Sequence, residues 1–208
     1  MAFDFKKEFK ELYMPKKGPA IIDVPEMKFV TIEGVGNPNE ENGAYQKALN
    51  ILYSISYTIR MSEKAGHEID GYFPYVVPPL EGLWWMADGS PGLGDKDGLA
   101  WVSMIRLPDF VTQEVFDWAC ATAARKKNIN TDQASLLSFQ EGLCVQCMHI
   151  GSYDDEPATV ELMDRFMEES GFYPDFSTGR RHHEIYLSDP RKVEVDKRKT
   201  IIRHPIKK

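Results

Sequence analysis

Cysteine is scarce in this 208-residue chain: three residues, Cys120, Cys144 and Cys147. A small odd number, in a chain long enough to bury a core unaided, does not make a disulfide framework. Cys144 and Cys147 have the spacing of a metal or redox pair, but no second pair accompanies them. They lie in LCVQCMHI, which reads as a buried strand, where positions i and i+3 face opposite ways. Both are read as core residues. Long apolar runs are also missing. Residues 20–22 and 75–77 are representative, far short of the roughly 18 residues of a membrane span, so no membrane partner is expected. The opening MAFDFKKEFKEL is charged and has no apolar signal core, which makes a cytoplasmic location the expectation. Positive charge is in deficit: 25 Lys and Arg stand against 32 Asp and Glu, a net charge of −7. No global basic field is present to hold nucleic acid. G-x-S-x-G, H-E-x-x-H and Walker patterns are absent, and no cofactor is expected.

What is present is a mixed pattern of strands and helices. Residues 3–13 carry Phe5, Phe9 and Leu12 at helical spacing, and the proline-rich stretch after them reads as an extended arm. Strands are expected at 28–35, 71–77, 83–86, 99–107, 143–150 and 181–187, with a last edge strand at 200–203. Helices are expected at 40–61, at 112–127 with Thr112 as N-cap, and at 156–170. FVTIEGVGNPNEE (29–41) can be laid over CVQCMHIGSYDDEP (144–157) at an offset of 115 residues. Each copy reads as strand, Gly, acidic loop and helix, and each helix is followed by Gly66 or Gly171. Two strand–helix–strand–strand units related by a pseudo-twofold would give an α+β fold. Its mainly antiparallel sheet would carry helices on one face and a ligand cleft on the other.

Chemistry concentrates in RRHHEIYLSDP (180–190). As a strand it alternates, with His182, Glu184 and Tyr186 facing one way and His183, Ile185 and Leu187 the other. The apolar pair Ile185 and Leu187 should face the helices, leaving Glu184 and Tyr186 on the open side. A carboxylate buried beside an aromatic is a candidate general base; a solvated strand face has the same pattern. A metal set of His182, Glu184 and His149 would require neighbouring strands. Trp84 and Trp85 are adjacent, so one faces in and one out. In a hairpin of 83–86 with 99–107, one of them stands beside Trp101 on the open face. Paired indoles suit a flat ligand or a cation, and equally suit core packing.

EGVGNPNE, PPLEGLWW and HHEIYLSDP together resemble the GyrI-like small-molecule-binding family over nearly the whole chain. They are most similar to its standalone, full-length branch, in which LYMPKKGPAIIDVP also has a counterpart. The resemblance implies a single GyrI-like domain over 1–208 built from two fused SHS2-type modules. Residues 1–26 would be the N-terminal helix and arm, 27–110 the first module, 111–142 a connecting helix and loop, and 143–208 the second module. It implies a cleft between the modules with a central glutamate, matched by Glu184, and aromatic walls. Some standalone members hydrolyse cyclopropane-bearing DNA-alkylating natural products. For this chain that implies Glu184 as the base that activates water and Tyr186 as a donor to the carbonyl oxygen. Trp84, Trp85, Trp101 and His182 would be ligand-binding residues, and no metal is implied. The partner would be a small aromatic or cyclopropane-bearing molecule. No helix-turn-helix domain is present, so a transcription factor is not expected. A non-catalytic binder or sensor of aromatic or cationic compounds is the alternative class.

Overall fold

The arm before the first strand coils into two single-turn helices, α1 (Phe5–Glu8) and α2 (Lys10–Tyr13), rather than one continuous helix. Strand β1 runs Ala20–Val35, well ahead of the expected start at Lys28. Pro25 inside it is exposed, where a strand tolerates proline. Helix α3 spans Ala44–Arg60 and buries Ala48, Ile51, Leu52, Ile55 and Ile59. It begins later than expected because Asn42 has a left-handed φ of 56°. Segment 71–77, expected as a strand, is irregular apart from a parallel bridge between Phe3 and Tyr75. Pro74 and the pair Pro78-Pro79 remove the donors a ladder needs. Strands β2 (Leu80–Met86) and β3 (Leu99–Leu107) follow, and every residue of β3 is buried. Helix α4 (Gln113–Lys127) opens on Thr112, whose hydroxyl accepts from the Val115 N–H. The remaining elements are β4 (Ser135–Ile150), α5 (Glu156–Glu169), β5 (Tyr173–Pro174), β6 (His182–Tyr186) and β7 (Lys199–Lys207).

The computed structural model describes residues 2–16 and 18–208. Its chain divides into two compact units. The first comprises Met1–Phe5, Met27–Pro78 and Trp84–Phe139; the second comprises Lys6–Glu26, Pro79–Leu83 and Gln140–Lys208. The first unit holds β3 whole, β1 from Met27, β2 from Trp84 and the first residues of β4, and the strand order is β4–β1–β3–β2. Here β1 is antiparallel to β3, from Lys28 opposite Leu107 to Val35 opposite Ala100. Helix α3 packs on β3 and on α4.

In the second unit β7 is the central strand. It is antiparallel to β4, from Cys144 opposite Pro205 to Ile150 opposite Lys199, and to β6, from His183 opposite Arg203 to Tyr186 opposite Thr200. It also pairs with β5, and β6 neighbours β2. The expected edge strand at 200–203 is thus an interior one. Its Arg203 is buried against Glu141, a carboxylate that a local reading does not reveal. Helix α5 covers one face of this sheet, where Val145, Cys147, Met163, Met167, Ile202 and Ile206 form a core. Apart from the two-residue β5, the element order β1–α3–β2–β3 recurs as β4–α5–β6–β7, and each time the last strand is antiparallel to the first. No described helix is long and apolar enough to cross a membrane.

Candidate functional site

Strand β6 sends its side chains alternately to the two faces of the second unit's sheet, and both faces carry buried charge. Glu184 lies opposite Ile202, and Ile202 opposite Cys147. Directly paired positions share a face, and Ile202 and Cys147 belong to the core under α5. Glu184 therefore sits on the helix side of the sheet, not on the open side the alternation suggested. The apolar pattern misleads because Ile185 shares its face with His183, which is buried in a polar network.

On the helix side, His182 is the hub. Its Nε2 lies 3.1 Å from Glu184 Oε1 and its Nδ1 lies 2.8 Å from His204 Nε2. His204 in turn reaches toward Asp164 of α5, with 3.9 Å between Nδ1 and Oδ1. Glu156, the first residue of α5, completes the cluster. One ligand atom each from Glu156, His182 and Glu184 lie within 4.8 Å of one another. Glu156 is 7% exposed and its Oε1 has no hydrogen-bond partner among the described residues. Burial, then the charge of Glu184, then that of Asp154, push the Glu156 carboxyl up to about 9. Burial lowers His204, with the neighbouring His182 acting in the same direction. The Tyr186 ring is half-buried and stands edge-on to Tyr153 at 6.0 Å. Burial and then Glu184 raise the Tyr153 hydroxyl.

On the other face His183, 1% exposed, is held between two carboxylates. Its Nδ1 is 3.0 Å from Glu141 Oε1 and its Nε2 is 3.1 Å from Glu81 Oε2. Burial opposes its charge, but Glu141 and then Glu81 outweigh burial and push it up to about 9. Tyr13 donates to Glu81 at 3.2 Å. Arg203 lies 3.4 Å from Glu141, donates to Gln146 Oε1 at 2.9 Å, and donates to the Leu12 carbonyl. Burial works against the Glu141 carboxylate, yet His183 and Arg203 hold it well below the usual range.

The structure joins two of the residues singled out from sequence, His182 and Glu184, and places Tyr186 on the same face of the strand. Trp84, Trp85 and Trp101 belong to the first unit. Trp84 is buried and Trp85 half-buried. Trp84 and Trp101 lie against Tyr45, at 5.4 Å and 5.1 Å between ring centroids. Tyr45 is on α3, so this pair faces the helix rather than an open surface. His149 is not in the cluster: β7 separates its strand from β6, and its ring nitrogens bond Thr159 and the Ser152 carbonyl. Cys144 and Cys147 are buried, and burial raises both thiols. Sequence reasoning missed Glu156, His204, Glu81, Glu141 and Arg203. Period-2 alternation through β7 places His204 beside His182 once the pairing is known. Nothing local marks Glu156, an ordinary acidic residue at a helix start.

Residues 18–207 match the family model of the GyrI-like small molecule binding domain. The chain belongs to the GyrI-like small-molecule-binding family. This GyrI-like protein is 49% identical to an uncharacterized conserved protein from Listeria innocua, with a TM-score of 0.93 over 99% of this chain and 100% of that one. It is 47% identical to a hydrolase from Listeria innocua, with a TM-score of 0.91 over 99% and 100% of the two chains. The EcmrR C-terminal domain shares the fold, with a TM-score of 0.53 at 12% identity over 91% of this chain and 97% of that domain. A comparison with curated proteins gave no match. The GyrI-like domain is thus one whose relatives at nearly half identity include a protein called a hydrolase.

Proposed function

We propose that this GyrI-like protein hydrolyses cyclopropane-bearing, DNA-alkylating natural products, a cytoplasmic detoxification, with Glu184 as the base. The observation that carries the reading is a carboxylate 8% exposed and held by His182. A base fixed in this way can orient a water molecule and take its proton. In such drugs the cyclopropane is conjugated to a dienone. The water oxygen bonds to a ring carbon, and the ring C–C bond to the dienone breaks. Its electron pair runs to the carbonyl oxygen, leaving an aromatic phenol once that oxygen is protonated. Glu184 takes the water proton, and Tyr186 donates toward the oxygen. His182, beside Glu184, is assigned to ligand binding. The domain organisation goes with this reading: two fused SHS2-type modules, 27–110 and 143–208, preceded by the arm 1–26 and joined by 111–142. The recurring order of strand, helix, strand and strand supports it. The hydrolase from Listeria innocua supports the reaction class.

Glu184→Gln keeps the shape and removes the base. Purified wild-type protein should convert a cyclopropane drug to the water adduct, detected by mass spectrometry. The variant should bind the drug but turn over at least about 10²-fold more slowly, the lower end of a general-base contribution. A drug that binds wild type and is recovered intact would leave a non-catalytic binder of aromatic or cationic compounds instead. Undiminished turnover by the variant would remove Glu184 from the mechanism.

A further inference from the structure

We infer that Glu156, His182 and Glu184 form a binding site for one divalent transition cation of the zinc(II) kind. This goes beyond the proposed hydrolysis and does not rest on it: Glu184 is a base in the metal-free protein and a ligand in the metal-loaded one. The donor set is one imidazole nitrogen and two carboxylates. Imidazole favours zinc and its neighbours over magnesium or calcium, which prefer all-oxygen shells. The geometry is close to what an ion requires. Metal–ligand bonds of about 2.0–2.1 Å put tetrahedral donors about 3.3 Å apart. The His182 and Glu184 atoms already stand 3.1 Å apart, and all three donors lie within 4.8 Å. Small side-chain rotations would bring Glu156 into range.

Two further observations point to an ion rather than a chance gathering of acids. Glu156 is more than nine-tenths buried, and its Oε1 lacks a hydrogen-bond partner among the described residues. A buried polar atom left unpaired is costly, and a cation beside it would satisfy it. The histidine also has the backing that ligand histidines carry. His182 Nδ1 stands 2.8 Å from His204 Nε2, so that with an ion bound the Nδ1–H tautomer would donate to His204 and turn the lone pair of Nε2 toward the ion. His204 is then left with Nδ1 toward Asp164. Such a relay fixes the tautomer of a ligand and strengthens it. Three protein ligands leave a position for water, the arrangement of reactive rather than purely structural sites. Two carboxylates and a neutral imidazole balance the charge of the ion. The thiols form no chelating pair, because Cys144 and Cys147 point to opposite faces of β4.

The test is a titration with zinc(II) alone on chelator-treated full-length protein, followed by calorimetry, with cobalt(II) as a spectroscopic stand-in and magnesium(II) as a control. Wild type should bind one equivalent of zinc, show cobalt ligand-field bands, ignore magnesium and melt at a higher temperature with zinc present. His204→Phe should weaken zinc by roughly 10–100-fold, the range for residues behind a ligand. Glu156→Gln and His182→Gln should weaken it further and abolish the cobalt bands. Melting temperatures without metal establish that each variant is folded. Zinc binding equal in wild type, Glu156→Gln and His182→Gln, or no stoichiometric zinc binding by wild type, overturns the site. No drug is present, so failure of hydrolysis leaves this inference standing. Full-rate hydrolysis by metal-free protein likewise leaves the proposed hydrolysis standing.

Discussion

Gly34 of β1 lies against the indole of Trp101. A Cβ built there would stand 2.4 Å from two ring carbons, Cη2 and Cζ2. Trp101 is 1% exposed and has Tyr45 edge-on to it, so the ring has little room to retreat. Gly34→Ala should cost about 1–3 kcal/mol, the range for an overpacked core. The urea midpoint should fall with an unchanged slope; an unchanged midpoint would show that the ring moves freely. At this scale the candidate site was half legible. Strand alternation puts His182, Glu184 and Tyr186 together, because residues two apart on a strand share a face. It does not say what covers that face. Glu156 and His204 arrive through the docking of α5 and the pairing of β7, which spacing within one segment does not encode.

The buried network ties α2, β2, β4, β6 and β7 of the second unit into one connected set. Its magnitude contrasts with that of an exposed pair. Arg203 and Glu141 are 1% and 3% exposed at their side chains. Arg203→Ala would leave Glu141 with one cation fewer and Gln146 without its donor. Breaking a buried pair from one side typically costs 3–5 kcal/mol, so a loss of about that size is expected from chemical denaturation. Arg203→Lys should rescue little, since an ammonium cannot reproduce the guanidinium fork. Arg165 and Glu161 of α5 form a pair of similar length but are 62% and 74% exposed. Arg165→Ala should change stability by less than about 1 kcal/mol. If the two alanine variants lose the same amount, the network is not a stabilising feature. The same network explains which elements were legible. Strand β3 and helix α4, with its Thr112 cap, followed from local pattern alone. Strand β7 looked like an edge because Arg203, His204 and Pro205 are unlike a core sequence. Their partners are remote: Glu141 lies 62 positions from Arg203. Glu81, likewise, lies 102 positions from His183.

At the scale of the whole molecule, the second unit is assembled from three separated stretches of chain. One link joins Arg203 to the Leu12 carbonyl across 191 positions, and Gln146 reaches the Glu11 carbonyl across 135. The consequence appears during synthesis. At about 5–20 residues per second, the Leu12 carbonyl is made roughly 10–40 s before its guanidinium partner. For that interval α2 has no Arg203 to hold it, and Glu141 and His183 await β7 to close around them. Contacts of such separation also slow folding after release. A chain ending at residue 198, which lacks β7, should therefore be cut readily by protease within 6–26 and 140–198. The full-length chain should resist cleavage there, with the cut sites read by mass spectrometry. Equal protection in the two chains would mean that the arm and β6 settle before the last strand is made.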